Sequence, residues 1–277
     1  MVNKQLELER PIRVVMFGSG PTLTHDARQF LCRLETNPEI LFLGAFCQAE
    51  SQSFQAVVRD LWRRRGILAF PLLMLWMIDN IKRNLMQSQQ EQELNKKLEE
   101  LSDRIHFITD IHAPTVLKRV DALEPDLGLI YGSPILKPEL FEIPKLGTLG
   151  IHHGKVPKYR GNKTMFWAMY NGEPVAGVTI QKINAGLDTG SIVREGEVTI
   201  GLRSQRAVWK DLETLGLELY IHAILEVKAG TAVYQPQTGP KGRLYRNPKL
   251  IDFLNFWKKQ TVRRFSQKKG VLRREQQ

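Results

Sequence analysis

The sequence predicts an α/β protein with a mixed, mostly parallel β-sheet of about seven strands, a helical insertion and a short C-terminal extension. Two observations support this class. Short apolar, β-branched runs alternate along the chain with segments of helical spacing, which is typical of a parallel sheet whose connections are helices. The length of 277 residues, 42% of them hydrophobic, is sufficient for one large domain with an appendage.

Seven runs have the composition or the alternation of strands. They cover residues 12–17, 40–47, 105–108, 127–131, 146–151, 175–183 and 192–200. The last two flank a glycine-rich loop and are predicted to run antiparallel as a hairpin. Apolar residues at helical spacing predict helices over residues 27–34, 113–123, 164–170 and 207–228.

Residues 1–230 are predicted to form the main domain, and residues 231–277 a connector, a short helix over 248–256 and a basic tail. A helical insertion at 48–103 interrupts the alternation and includes a surface helix over 82–101. Its apolar run 67–78 is shorter than the roughly 20 residues that cross a bilayer. A buried helix, a homodimer contact and a peripheral membrane contact all remain open for that run.

The net charge is +11, and basic residues are concentrated at the end of the chain. The basic tail contains Lys258, Lys259, Arg263, Arg264, Lys268, Lys269, Arg273 and Arg274, against Glu275 alone. Such a tail can attract nucleic acid or an anionic membrane surface, and a purely solubilising role is equally typical.

Cysteine usage and the start of the chain bear on the compartment. Two cysteines, Cys32 and Cys47, cannot form the disulfide framework of a secreted protein. The polar start MVNKQLELER lacks the features of a signal peptide. We therefore expect a cytoplasmic protein.

The stretch 147–190 holds the residues best suited to chemistry. The apolar run 146–151 ends at His152 and His153, as when a buried strand delivers an imidazole to the edge of a sheet. Asp188 follows within Gly-Leu-Asp-Thr-Gly, where glycines permit a tight loop close to a ligand. His152 and Asp188 are the predicted acid–base pair. His153 is the weaker candidate because neighbouring strand residues point to opposite faces.

A second candidate site is the turn after the first strand, Gly18-Ser19-Gly20-Pro21. Backbone amides and a helix start at such a turn can bind an anion or a polar ligand, although an ordinary tight turn has the same composition. The full dinucleotide fingerprint is absent, which disfavours a nicotinamide cofactor.

These residues, in this order, resemble the folate-dependent formyltransferase family. The matching residues are His152, Pro157, Tyr159-Arg160-Gly161, Phe166-Trp167, Asn171-Gly172-Glu173, Gly177-Val178-Thr179 and Leu187-Asp188-Thr189-Gly190. The resemblance covers roughly residues 12–227. It implies a three-layer, Rossmann-like formyltransferase fold and 10-formyltetrahydrofolate as the formyl donor.

The resemblance also implies roles for individual residues. His152 and Asp188 match the family's catalytic His and Asp, and Gly150 stands where the family has a catalytic Asn. The implied folate pocket consists of Tyr131, Gly132, Ser133, Ile135, Leu136, Leu187 and Thr189. Acceptor contacts are expected from Gly18, Ser19, Gly20, Arg160 and Gly161, and no metal is expected. In the family, the Asn side chain donates a hydrogen bond to the formyl oxygen, and Gly150 has no such donor. Loss of one donor of this kind typically reduces the rate about 10²–10³-fold.

The expected function is therefore N-formyl transfer to a primary amine of a small molecule, such as an amino sugar or an amino-acid derivative. Asp188 is expected to keep His152 protonated as a donor to the formyl oxygen. Two alternatives remain. The basic tail suggests an aminoacyl-tRNA acceptor, although the chain after residue 227 is short for that. Gly150 suggests a catalytically impaired, formyltransferase-like binding protein.

Overall fold

The computed structural model describes residues 10–49 and 89–274. The strands of this part are β1 (Ile12–Ser19), β2 (Ile40–Gln48), β3 (Ile105–Ile108), β4 (Leu127–Ile130), β5 (Thr148–His152), β6 (Tyr159–Gly161), β7 (Val175–Lys182), β8 (Ile192–Thr199) and β9 (Arg243–Tyr245). The α-helices are α1 (His25–Glu35), α2 (Gln89–Glu100), α3 (Pro114–Ala122), α4 (Pro138–Phe141), α5 (Thr164–Asn171), α6 (Gln205–Ala229) and α7 (Leu250–Arg274).

Seven strands form one sheet in the order β3-β2-β1-β4-β5-β7-β8. Strands β1 to β5 pair in parallel, whereas β7 runs antiparallel to both β5 and β8. The predicted α/β class and the mixed, mostly parallel sheet are confirmed, as is the antiparallel pairing of the last two predicted strands. The carboxyl ends of β1, β4 and β5 meet at one edge of the sheet.

Alternation along β1 builds the three layers. Val14 and Met16 pack on one face, in a core shared with α1 and α6. Val15 and Phe17 pack on the other face, against α3 and α4. Because all four side chains are fully buried, and each such burial contributes about 1.5–3 kcal/mol, both faces of the sheet must be covered by helices.

Helix α7 is much longer than the short helix predicted over 248–256, and it packs on the domain. Phe256 is buried, and its ring centroid lies 5.2 Å from that of Phe166 on α5. Arg263 donates from Nη1 to the Met169 oxygen at 2.8 Å, and the Lys259 ammonium lies 3.8 Å from the centre of the Tyr170 ring. The last turn of α5 thus receives two cations, which its helix dipole favours.

The connector after α6 also takes part in the fold. Strand β9 pairs in parallel with β6, and Gln235 forms an isolated antiparallel bridge with Ile192 at the start of β8. Strands β6 and β9 have three residues each, too few to show a strand pattern in the sequence.

Part of the predicted insertion is described. Helix α2 lies within the predicted helix 82–101 and contacts α1, where Arg28 Nη1 donates to Asn95 Oδ1 at 2.7 Å. The apolar run 67–78 lies outside the described residues. Across the ranges 10–49 and 89–274, no helix has both the length and the apolar character needed to span a membrane.

Candidate active site

His152 stands at the carboxyl end of β5 and is only 8% exposed. Its Nε2 lies 2.8 Å from the backbone oxygen of Tyr159. Because a carbonyl oxygen can only accept a hydrogen bond, Nε2 carries the ring proton. The other ring nitrogen, Nδ1, lies 3.5 Å from Oδ1 of Asp188. The structure therefore brings the two predicted catalytic side chains together, with Nδ1 towards the carboxylate.

Burial has the largest influence on the imidazole and lowers the pKa of His152 below its ordinary value of 6.5. The negative charge of Asp188 raises this pKa without offsetting the burial. His152 is therefore neutral near neutral pH, and its Nδ1 is free to accept a proton. This direction is opposite to the expectation that Asp188 keeps His152 protonated, because a charged imidazole would lose its hydration at this buried position.

The backbone of Asp188 is held in an unusual conformation. Its φ of 51° lies in the left-handed region, which residues other than glycine rarely adopt. Oδ2 of Asp188 accepts a hydrogen bond from the backbone nitrogen of Gly161 at 2.7 Å. Arg160 donates from Nε to the Leu187 oxygen at 3.1 Å. Strand β6 therefore positions the loop that carries the carboxylate.

A cavity of about 380 Å³ opens beside this pair. Its walls are formed by Ile130, residues 132–136, residues 150–152, Gly161, Asn162, Gln181, residues 183–190 and residues 244–246. Most of the predicted site residues are among them. These are Gly132, Ser133, Ile135, Leu136, Gly150, His152, Gly161, Leu187, Asp188 and Thr189. A cavity of about 630 Å³ shares residues 183–185 with this one but includes neither His152 nor Asp188, so the chemistry belongs to the smaller cavity.

Tyr131 does not line this cavity, contrary to expectation. Its side chain lies on the opposite face of the sheet, in the core shared with α1, and its hydroxyl donates to Oε1 of Glu213 on α6. The preceding residue, Ile130, faces the cavity instead. Successive strand residues point to opposite faces, so an assignment that differs by one residue selects the wrong side chain.

The predicted acceptor residues divide into two groups. Gly161 lines the cavity, whereas Gly18, Ser19, Gly20 and Arg160 do not. Ser19 Oγ donates to the backbone oxygen of Gly132, which places the first glycine turn against the loop that forms one wall. The Arg160 guanidinium is engaged by the Leu187 carbonyl, so its observed contact is with the loop of Asp188.

Gly150 leaves no room for the family's Asn without a change nearby. A Cβ atom at position 150 would lie 2.7 Å from Cδ1 of Ile183 and 3.6 Å from Cβ of Ile130. Carbon atoms at ordinary contact are about 3.5–4.0 Å apart. The space beside the strand is thus occupied by the tip of an isoleucine side chain.

His153 faces away from the cavity, as predicted from strand alternation. Its Nε2 lies 2.6 Å from Oε2 of Glu213, and its ring centroid is 4.6 Å from that of Trp209. Asp26 on α1 accepts from Trp209 Nε1 at 3.2 Å, and burial raises the pKa of Asp26. These contacts connect α1 to α6 on the other face of the sheet.

Two glutamines, Gln181 in the cavity wall and Gln237 in contact with it, had no role in the sequence analysis. Gln181 is a buried polar residue on β7, and its place within the apolar run 175–183 was a visible signal. Gln237 donates from Nε2 to the Gly190 oxygen at 2.8 Å. It comes from the connector after α6, where local sequence offers no signal.

Comparison with known proteins identifies the family. The sequence model of the family described as formyl transferase matches residues 82–224, which is more than half of the chain. The chain belongs to the formyltransferase family. The matched part includes β3 to β8, the His152 and Asp188 pair and most of the cavity wall.

The relatives of this formyltransferase family member share only part of their length with it. A methionyl-tRNA formyltransferase of Thermodesulfovibrio yellowstonii is 37% identical over 126 residues, which are 44% of this chain and 41% of that protein. A methionyl-tRNA formyltransferase of Synechococcus sp. is 32% identical over 149 residues, 53% of this chain and 46% of that protein. The chain therefore matches less than half of the length of these relatives.

Solved structures with the same fold cover more of the chain. A sugar N-formyltransferase from a Shewanella species superposes with a TM-score of 0.56 at 14% identity, covering 88% of this chain and 86% of that one. An N-formyltransferase from Helicobacter canadensis, solved with folinic acid and dTDP-3-aminofucose, gives 0.53 at 18% identity, covering 85% and 71%. At these identities the likeness supports the fold.

Proposed function

We propose that this formyltransferase family member transfers a formyl group from 10-formyltetrahydrofolate to a primary amine of a small molecule, such as an amino sugar or an amino-acid derivative. The observation that carries the proposal is a buried imidazole whose Nδ1 lies 3.5 Å from a carboxylate oxygen in the wall of a cavity. A base beside an anion suits removal of a proton from an amine that becomes positively charged as it reacts.

The proposed roles follow from the two ring nitrogens of His152. The amine nitrogen attacks the formyl carbon and becomes cationic, and Nδ1 of His152 takes its proton. Asp188 then stabilises the imidazolium, while Nε2 stays bonded to the Tyr159 oxygen and fixes the ring. As the bond from the formyl carbon to folate N10 breaks, the imidazolium returns the proton to N10. The products are a formamide and tetrahydrofolate, and His152 is neutral again.

The size and lining of the cavity suit a folate. Its volume of about 380 Å³ lies within the range of about 300–1,000 Å³ of small-ligand pockets. Ile135 is 73% exposed and Leu187 is 40% exposed, so both offer apolar surface to a flat ring, and Ser133 and Thr189 supply hydroxyls on the same wall. A bound donor supplies the electrophilic formyl carbon. The N-formyltransferase from Helicobacter canadensis was solved with folinic acid, which supports a reduced folate as the carrier of the formyl group.

The small-molecule acceptor is motivated by proteins that share this fold. They include a sugar N-formyltransferase from a Shewanella species and an N-formyltransferase from Helicobacter canadensis solved with dTDP-3-aminofucose.

The proposal is tested by release of tetrahydrofolate from 10-formyltetrahydrofolate in the presence of a panel of amino sugars and amino acids. We expect amine-dependent release that disappears in His152→Ala and persists in the control His222→Ala, an exposed histidine on α6. Absence of both release and folate binding by calorimetry would refute the proposal. Folate binding without release would instead support the catalytically impaired binding protein that Gly150 suggests.

A further inference from the structure

We infer that the side-chain amide of Gln181 is the hydrogen-bond donor to the formyl oxygen, and that Gln237, from outside the matched family segment, orients it. The inference rests on the proposed formyl transfer. Negative charge develops on the formyl oxygen when the amine attacks, and a preorganised N–H donor at that place is a major source of rate enhancement. Gly150 has no side chain to provide it, and Nε2 of His152 is bonded to Tyr159.

The register of the sheet places Gln181 beside His152. In the antiparallel pair of β5 and β7, Gly150 lies directly opposite Gln181, and His152 lies opposite Thr179. Directly opposed residues share a face of the sheet, and positions 150 and 152 of one strand share it too. The Gln181 side chain is therefore on the same face as the imidazole, next to the position that Gly150 leaves without a side chain. It is 3% exposed and lines the cavity.

The contact with Gln237 determines the orientation of the Gln181 amide, that is, the positions of its oxygen and its nitrogen. Nε2 of Gln237 lies 2.8 Å from the Gly190 oxygen and 3.0 Å from the Asp188 oxygen. Because both partners are carbonyls, that atom of Gln237 must be the nitrogen. Oε1 of Gln181 is a third acceptor, 3.3 Å from the same nitrogen, and it shares one of the two hydrogens, so the oxygen of Gln181 faces Gln237. The amide nitrogen of Gln181 is consequently directed to the other side.

That nitrogen has donor capacity left for a ligand. Among the described residues, the acceptor recorded for Nε2 of Gln181 is Oδ1 of Asp188, at the long distance of 3.5 Å. Nε2 carries two hydrogens, and a hydrogen bond at this distance is weak. At least one N–H is thus available at the cavity wall, between the carboxylate and the strand that carries His152. In the transfer step it donates a hydrogen bond without giving up its proton.

The same three contacts make Gln237 a positioning residue. Its bonds to the Asp188 and Gly190 oxygens hold the Asp188 loop, and its contact with Oε1 orients Gln181. The bridge between Gln235 and Ile192 brings the connector to this place. The family model ends at residue 224, so this contact reaches the site from beyond the matched segment.

The first test uses Gln181→Met and Gln237→Met, which remove the amides without adding charge and with little change in volume. The matched control is Gln29→Met on α1. The side chain of Gln29 contacts His25, which is exposed. With 10-formyltetrahydrofolate and an accepted amine, we expect kcat to fall about 10²–10³-fold in Gln181→Met and about 10-fold or more in Gln237→Met. KM for the folate should change less than about 3-fold, and the control should match the wild type. A loss confined to KM would overturn the inference.

The second test needs no acceptor amine. Calorimetry compares the affinity for 10-formyl-5,8-dideazafolate with that for 5,8-dideazafolate, which lacks the formyl group. We expect the wild type to prefer the formyl compound by about 2–10-fold, the contribution of one neutral hydrogen bond, and Gln181→Met to lose this preference. If Gln181→Met fails to fold, Gln237→Met, which retains Gln181, is expected to reduce the preference. If the variants keep it, Gln181 is not the donor, although the proposed function stands. If the wild type binds neither compound, the proposed function fails and this inference fails with it.

Discussion

Replacement of Asp188 by Asn tests the role of the carboxylate beside His152. The Asn oxygen can still accept from the Gly161 amide, which lies 2.7 Å from Oδ2 in the wild type, so the loop conformation should be retained. What changes is the charge facing Nδ1 of His152 at 3.5 Å. At an effective dielectric constant of about 20, two unit charges at this distance attract by about 5 kcal/mol. Carboxylates beside a cation are observed to shift its pKa by about 1–3 units, or roughly 1.4–4 kcal/mol.

The variant should therefore lose about 10–10³-fold in kcat, because the imidazolium formed in the reaction is no longer stabilised. The pKa of His152 is already below 6.5, and Asp188 is the largest influence that raises it. Removing the charge should move the acid limb of the rate profile to lower pH.

Initial rates of tetrahydrofolate release, measured from about pH 5 to 9, report both effects. His153→Gln provides a control of opposite sign, because the charge of His153 lowers the pKa of His152. An acid limb that stays in place in Asp188→Asn, or moves to higher pH, would refute a basic His152 supported by Asp188.

Three further predictions concern stability. The hydroxyl of Tyr220 accepts from the Ile130 nitrogen at 2.9 Å and donates to the Leu149 oxygen at 2.8 Å, so Tyr220→Phe should lower the free energy of unfolding in urea by about 1–3 kcal/mol; a change below about 0.5 kcal/mol would contradict this role. Phe256→Ala should lower the free energy of unfolding by about 3–5 kcal/mol, because this side chain is 6% exposed. Trp257→Ala should leave it nearly unchanged, because Trp257 is 71% exposed. Equal effects of the two substitutions would argue against packing of α7 on the domain. The pKa of His152 is lowered in the folded state, so the unfolded chain binds more protons just below pH 6.5. The stability of the wild type relative to His152→Gln should therefore fall as the pH decreases through that value. A stability difference between the two proteins that is independent of pH would contradict a buried neutral imidazole.

Local patterns in the sequence were sufficient for much of the fold. The seven predicted strands match β1 to β5, β7 and β8 within a few residues, because alternation and apolar runs are properties of short segments. Strands β6 and β9 were missed because three-residue strands have no period. Helix α7 was predicted too short because the residues after 256 are mostly polar and basic, and their contacts, such as that of Arg263 with the Met169 oxygen, are with residues distant in sequence.

The site was less accessible to such patterns. His152 and Asp188 could be named from the chain because a strand end and a glycine loop are local features. Tyr131 was assigned to the wrong face because the family resemblance places a whole segment at the pocket, whereas a shift of one residue along a strand selects the opposite face.

Four features follow from the sequence, because each depends on neighbouring residues. They are the order of apolar runs, the imidazole at the end of β5, the carboxylate in a glycine loop and the missing Asn at Gly150. The protonation state of His152, the pairing of Gly150 with Gln181 and the arrival of Gln237 beside both depend on the folded chain. Burial and strand register are set by residues far apart in sequence, and so is the electrostatic environment of a site assembled from β5, β7, the Asp188 loop and the connector.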